Sequence, residues 1–187
     1  RGALGAGGGG GRPARGEKTI SPPPPPIGFA EWQALVALHA DYAAAVDGGD
    51  WARWPAFFTE RGVYRLQPRE NFERGFPLAT LAFDSRAMME DRVYGITETL
   101  FHDPYYQRHV VGAPRLLGAD VSPEGWRRLR CEAAYAVFRT KLSELSTVFN
   151  VGRYLDTVVF TPDGPRFAER AVIYDSEMIP NSLIYPI

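Results

Sequence analysis

Cysteine is close to missing. Cys131 stands alone in 187 residues, which excludes an intramolecular disulfide framework and any cluster needing two thiolates from this chain. Strong charge of either sign is missing too: the formal net charge is −1, against the basic excess of a general nucleic-acid or membrane-surface binder. Lysine is nearly absent beside arginine, two against nineteen, a compositional bias that points to no partner. No apolar run reaches about eighteen residues, so no membrane-spanning helix is expected. The start has no apolar core of a secretory signal, and a reducing, cytoplasmic setting is the expectation. The chain also has no G-x-G-x-x-G, no phosphate loop and no G-x-S-x-G.

What is present falls into two parts. Residues 1–28 hold nine glycines and six prolines, running through Gly7–Gly11 and Pro22–Pro26. Such a segment cannot bury enough surface to offset its ordering entropy, so it is expected to be disordered, with a short stiff polyproline stretch leading into the domain. The tail carries +3, from Arg1, Arg12, Arg15 and Lys18 against Glu17, which leaves −4 on residues 29–187. That remainder is long enough for one domain with a substantial core.

Within it, Phe29, Trp32, Val36, His39, Ala43 and Val46 recur at spacings of three and four, which predicts an amphipathic helix. Gly48 and Gly49 end it, and Asp50 is placed to cap a second short helix through Trp51, Trp54 and Phe57. Short strands are expected at 63–66 and 78–83, separated by a polar loop with Pro68, Asn71 and Gly75. Asp84 or Ser85 then caps a third helix carrying Met89, Val93, Ile96 and Leu100, ended near Pro104. A short strand at 108–111 breaks at Gly112-Ala113-Pro114. Residues 126–140 alternate, with Leu129, Cys131, Ala133, Tyr135 and Val137 on one face, which predicts a long half-buried strand. Further strands are expected at 147–160 and 166–174, joined by the turn at Thr161-Pro162-Asp163-Gly164-Pro165. Helices first and long antiparallel strands second make an α+β domain, helices on one face of a sheet.

Three histidines could in principle hold a metal, but His39, His102 and His109 show no i, i+3 or i, i+4 pairing, and no metal site is expected. His39, Asp41 and Tyr42 could form an acid–base group in a pocket; the plainer alternative is a polar helix edge. Cys131 reads as a small core residue. Glu90, Asp91 and Arg92 interrupt the third helix, while Arg153, Asp156, Glu169, Arg170 and Asp175 punctuate apolar strands. Charges so placed are paired or lie at an interface, because an unpaired buried charge is costly. Of these, Asp91, Arg92, Arg153, Arg170 and Asp175 are the structural or interface candidates, and no catalytic or cofactor-binding residue stands out. The aromatic content adds to the case for a protein–protein surface.

Four stretches, in order, resemble one family. They are DYAAAVDGGDWARWPAFFTERGVY at 41–64, SRAMMEDRV at 85–93, YQRHVVGAPRLLG at 106–118, and VGRYLDTVVFTPDGPRFAERAVIYDSEMIPNSLIYPI at 151–187. Each piece alone is weak; the ordered set resembles the small, or β, subunits of Rieske-type aromatic-ring-hydroxylating dioxygenases across residues 29–187. Ala113 stands where many members have Asn, and residues 1–28 have no counterpart in the family. The ending EMIPNSLIYPI looks closest to hydroxylases of aromatic carboxylates such as salicylate. The resemblance implies a cystatin-like, nuclear-transport-factor-like cone, its N-terminal helices packed on a long curved, mostly antiparallel sheet. It also implies a catalytic α subunit as partner, holding a Rieske [2Fe–2S] centre and a mononuclear iron. An α3β3 hexamer with β–β contacts and electrons from NAD(P)H through a separate reductase would follow. A lone cysteine agrees with a chain that holds no Rieske centre itself. The competing expectation is a stand-alone cone-fold isomerase or dehydratase using His39, Asp41 and Tyr42.

Overall fold

Gly28 opens the first helix of the computed structural model, which describes residues 26–176 and 183–187. The Glu31 carboxylate reaches back to accept from the Gly28 N–H at 3.0 Å, satisfying a donor the helix itself leaves orphaned. Helix α1 spans Phe29–Asp47 and buries Leu35, Leu38, His39, Tyr42, Ala45 and Val46. The face expected from spacing is therefore rotated. Phe29 and Trp32 are exposed, and Leu35, Leu38 and Tyr42 point to the sheet instead. Fourteen of the nineteen α1 positions are apolar or alanine, so periodicity alone fixes the helix but not its inner face. Gly49, at φ +70°, ends it in the left-handed region that glycine tolerates.

The expected second helix is only a 3₁₀ turn over Trp54–Phe57, with Trp51 in the preceding turn. Strand β1 then runs from Phe58 to Pro68, far longer than expected, because a bulge between Phe58 and Val63 lets it continue through polar residues. Gly62 is required there: a Cβ would stand 2.7 Å from the Phe58 Cβ and 2.9 Å from the Thr59 carbonyl. The expected loop holds a short helix α2, Arg69–Glu73, before strand β2 at Leu81–Phe83. Helix α3, Arg86–Tyr94, starts with Ser85 accepting from Met88 N and runs on as a π turn through Gly95–Thr99.

Five strands follow: β3 (Tyr105–Val111), β4 (Arg115–Val121), β5 (Arg127–Lys141), β6 (Thr147–Thr161) and β7 (Gly164–Tyr174). Strand β4 is a correction to the sequence expectation. Gly118 and Asp120 give it a poor strand signature, yet the edge of β5 holds it in place. The sheet order is β2-β1-β7-β6-β5-β3, with β4 pairing the other half of β5. All pairings are antiparallel except β1 with β7. The Pro162-Asp163 turn joins β6 and β7, with Gly164 at φ +107°.

The α+β architecture is thus as expected: helices packed against one face of a large, mostly antiparallel open sheet. The core lies between α1, α3 and the inward face of β5, β6, β7 and β1, with Trp54, Tyr64, Leu129 and Tyr154 fully buried. Residues 183–187 return to this core, and Ile187 is completely enclosed. Of the tail expected at 1–28, residues 1–25 lie outside those described. Among the described residues, no helix is long and apolar enough to cross a membrane.

Candidate functional site

Polar side chains in the interior concentrate at one place. Strand β6 turns Tyr154, Asp156 and Val158 inward, and Asp156 stands directly opposite Arg170 of β7. A register shift between Thr157 and Val158 changes the phase of β7, so that Phe167 and Arg170, three positions apart, both face the core. Arg170 Nε donates to Asp156 Oδ1 at 3.0 Å and Nη2 to Oδ2 at 2.8 Å, a bidentate pair with both side chains at 0 % exposure. His39 of α1 adds a third contact, Nε2 to Asp156 Oδ2 at 2.8 Å, while its Nδ1 lies 2.9 Å from the Leu35 carbonyl. The Arg170 guanidinium is further packed against rings, its Cζ 3.9 Å from the centroid of Phe167, 4.1 Å from Tyr154 and 4.2 Å from Tyr42.

The electrostatics follow from this packing. Burial alone would push the Asp156 carboxyl up, but the Arg170 charge and the His39 hydrogen bond hold it below the usual carboxylate range. Arg170 is raised, burial notwithstanding, by the charge of Asp156. The Cys131 thiol is pushed far up, first by burial and then by the Asp156 charge. Burial likewise raises the phenols of Tyr42, Tyr64 and Tyr154, so all three stay protonated.

His39, Cys131 and Asp156 bring one ligand-type atom each within 4.8 Å. They do not suit a cation. Both Asp156 oxygens already serve Arg170, the thiol is held protonated, and a fixed guanidinium stands beside the would-be site.

Above this group the interior is closed by the chain itself. Tyr42 and Tyr64 hydroxyls both donate to the Ile187 main-chain oxygen at 3.0 Å, and Ile187 N donates to the Tyr64 hydroxyl at 3.0 Å. Trp54 Nε1 donates to the Tyr42 hydroxyl at 3.1 Å. Arg92 Nη2 donates to the carbonyls of Ile184 at 2.7 Å and Leu183 at 3.2 Å. Tyr185 stacks on Trp51 at 4.6 Å, and its hydroxyl meets His102 Nε2 at 2.6 Å. Gln107 Nε2 donates to the Pro186 carbonyl at 3.3 Å.

The acid–base trio of the sequence expectation is not assembled. His39 and Tyr42 are buried, but Asp41 projects outward, 61 % exposed and 3.8 Å from Arg53. The three histidines are dispersed: His39 meets Asp156, His102 meets Tyr185, and His109 Nδ1 lies 2.6 Å from Asp47 Oδ1. Of the five charged candidates, Arg170 is interior and Arg92 is half-buried against residues 183–184. Arg153 lies 5.8 Å from the Phe72 ring, Asp175 is exposed 3.5 Å from Arg69, and Asp91 is exposed with no ion pair among the described residues. Sequence reasoning named Asp156 as a charge in an apolar strand but not as the hub, and it missed Tyr64 as a partner of residue 187. The available signal was Asp156 at an inward position between Tyr154 and Val158.

On the outer side of the sheet lies an open groove of about 1040 Å³, with Arg61, Arg128, Arg166, Glu124, Glu169 and Trp126 among its walls. It mixes charges of both signs and shares no residue with the buried group.

A model of the SnoaL-like domain matches residues 31–171. The chain is 30% identical over 156 residues to the anthranilate 1,2-dioxygenase small subunit of Burkholderia cepacia, covering 83% of this chain and 94% of that one. It belongs to the small, or β, subunits of aromatic-ring-hydroxylating dioxygenases, within the SnoaL-like domain family. Subunit β 1 of the terminal oxygenase component of terephthalate 1,2-dioxygenase from a Comamonas species is 26% identical, covering 82% and 96% of the two chains. A solved structure, assigned as the β subunit of an aromatic-ring-hydroxylating dioxygenase from Novosphingobium aromaticivorans, matches with a TM-score of 0.74. It has 27% identity and covers 84% of this chain and 97% of that one. For this β subunit, the buried Asp156–Arg170–His39 group is thus an internal brace of the cone.

Proposed function

We propose that this β subunit serves as the structural partner of a catalytic large subunit in a terminal oxygenase, and supplies no reacting group of its own. One observation carries the reading. The buried acid–base cluster of Asp156, Arg170 and His39 is locked in a bidentate ion pair with almost no solvent exposure, so no substrate reaches it. A catalytic acid or base must come within hydrogen-bond reach of substrate. Oxygen insertion then belongs to the large subunit, with its Rieske [2Fe–2S] centre and mononuclear iron, fed from NAD(P)H through a separate reductase. The names of the relatives, anthranilate and terephthalate dioxygenases, support an aromatic carboxylate as the substrate class, salicylate being one such compound.

The outer face of the sheet supports docking. Tyr106 and Val110 of β3, with the exposed Arg108 between them, and Val148 of β6 flank Phe138 there, a largely apolar surface with one cation, of the kind that partners cover. An α3β3 assembly in the cytoplasm, with β–β contacts, completes the reading. The test compares two charge reversals in the co-produced complex. Asp91→Arg, at an exposed helix position, should weaken assembly while the isolated subunit keeps its stability. Arg92→Glu should destabilise the subunit itself, by removing the anchor of residues 183–184. A variant that assembled fully with its large subunit yet lost turnover completely would overturn the structural-partner reading.

A further inference from the structure

The floor of the open groove outside the sheet is set by strand register. Arg130 of β5 stands opposite Thr157 of β6, which stands opposite Glu169 of β7, so the three side chains rise on one face and line the groove together. Neighbouring strands lie about 4.8 Å apart, which puts the cation and the carboxylate about 10 Å apart at the backbone, with a hydroxyl between them. None of these three side chains has a hydrogen-bond or ion-pair partner among the described residues. The next row of the floor differs, because Arg128 is answered there by Asp120 at 2.6 and 2.9 Å. Arg130 is also seated. Its guanidinium lies over Gly118 of β4, where a Cβ would stand 2.7 Å from Nη2, so any side chain at 118 would displace it. The glycine that weakens β4 as a strand thus makes room for this cation. Val159 and the half-buried Trp126 add apolar surface beside the charged row.

A guanidinium, a hydroxyl and a carboxylate in that order match a small molecule carrying both an anion and a cation. Arg130 offers a bidentate fork to a carboxylate, and Glu169 accepts from an ammonium group. A simple anion would leave Glu169 uncompensated beside it, and a simple cation would be repelled by Arg130. We propose that this groove is a binding site for amino-carboxylate zwitterions, of the class of α-amino acids with an apolar side chain that covers Val159 and Trp126. The proposal goes beyond the structural-partner function and does not depend on it.

The experiment titrates the full-length chain with L-phenylalanine, followed by calorimetry and by backbone amide NMR. In parallel it uses 3-phenylpropanoate, which lacks the ammonium group, and phenethylamine, which lacks the carboxylate. L-phenylalanine should bind at one site, about tenfold or more tighter than either half-ligand, with amide shifts centred on Gly118, Arg130, Thr157 and Glu169. Arg130→Gln and Glu169→Gln alter exposed side chains, and circular dichroism should show both variants folded. Arg130→Gln should weaken L-phenylalanine to the level of phenethylamine, and Glu169→Gln should weaken it to the level of 3-phenylpropanoate. No saturable binding of L-phenylalanine overturns the proposal. So does equal binding of either half-ligand, or binding that is indifferent to both substitutions.

Discussion

Asp156 decides more than any other single residue. It compensates Arg170 at zero exposure and also accepts from His39. Removing one partner of a buried pair leaves an uncompensated charge, so Asp156→Asn should cost on the order of 3–5 kcal/mol in chemical denaturation. The double change Asp156→Leu with Arg170→Met should cost less than either single change, since it removes both charges together. The pH dependence has a definite sign. The folded carboxyl sits below its ordinary value, so its contribution is fully present above the unfolded pKa, about 3.9, and is lost as pH falls through the lower folded value. Acid unfolding followed by circular dichroism should therefore show this loss only below about pH 4, and Asp156→Asn should remove that component. Sequence made both Arg170 and Asp156 visible as charges in apolar strands. Their pairing was hidden because it depends on the β6–β7 register and its bulge, which alternation alone cannot supply.

At the scale of elements, the long strands were legible. Inward residues of β5 alternate without interruption from Leu129 to Val137, and a period of two is hard to mistake. The misses have physical causes. Helix α1 is apolar nearly all round, β4 owes its existence to its neighbour, and β1 extends through Glu60 and Arg61 only by way of the Gly62 bulge. Close approach of backbones gives a sharp test at another glycine. A Cβ on Gly152 would stand 2.0 Å from the Ile173 carbonyl oxygen. Gly152→Ala should force β6 and β7 apart, costing roughly 1–3 kcal/mol or more, with hydrogen exchange quickened along both strands. Arg92→Ala should release residues 183–184, at a cost of about 2 kcal/mol and with new protease sensitivity near that segment.

Across the whole molecule, the cone has its polar interior braced and closed, and part of its exposed apolar surface, Tyr106, Val110 and Val148, on the outside of the sheet. That division suits a subunit whose work is assembly. The ordered motifs pointed to this family before any coordinate, while the closure by residues 183–187 was invisible, since Tyr42, Tyr64 and Ile187 are 123 to 145 positions apart in the contacts they make. The most direct measurement is native mass and iron content of the chain, produced alone and then together with the large subunit of its oxygenase. A structural subunit should be colourless and iron-free alone, and should enter an iron-containing complex whose turnover survives Tyr42→Phe. A chain that stayed apart from every large subunit, or that alone turned over a small substrate, would contradict it.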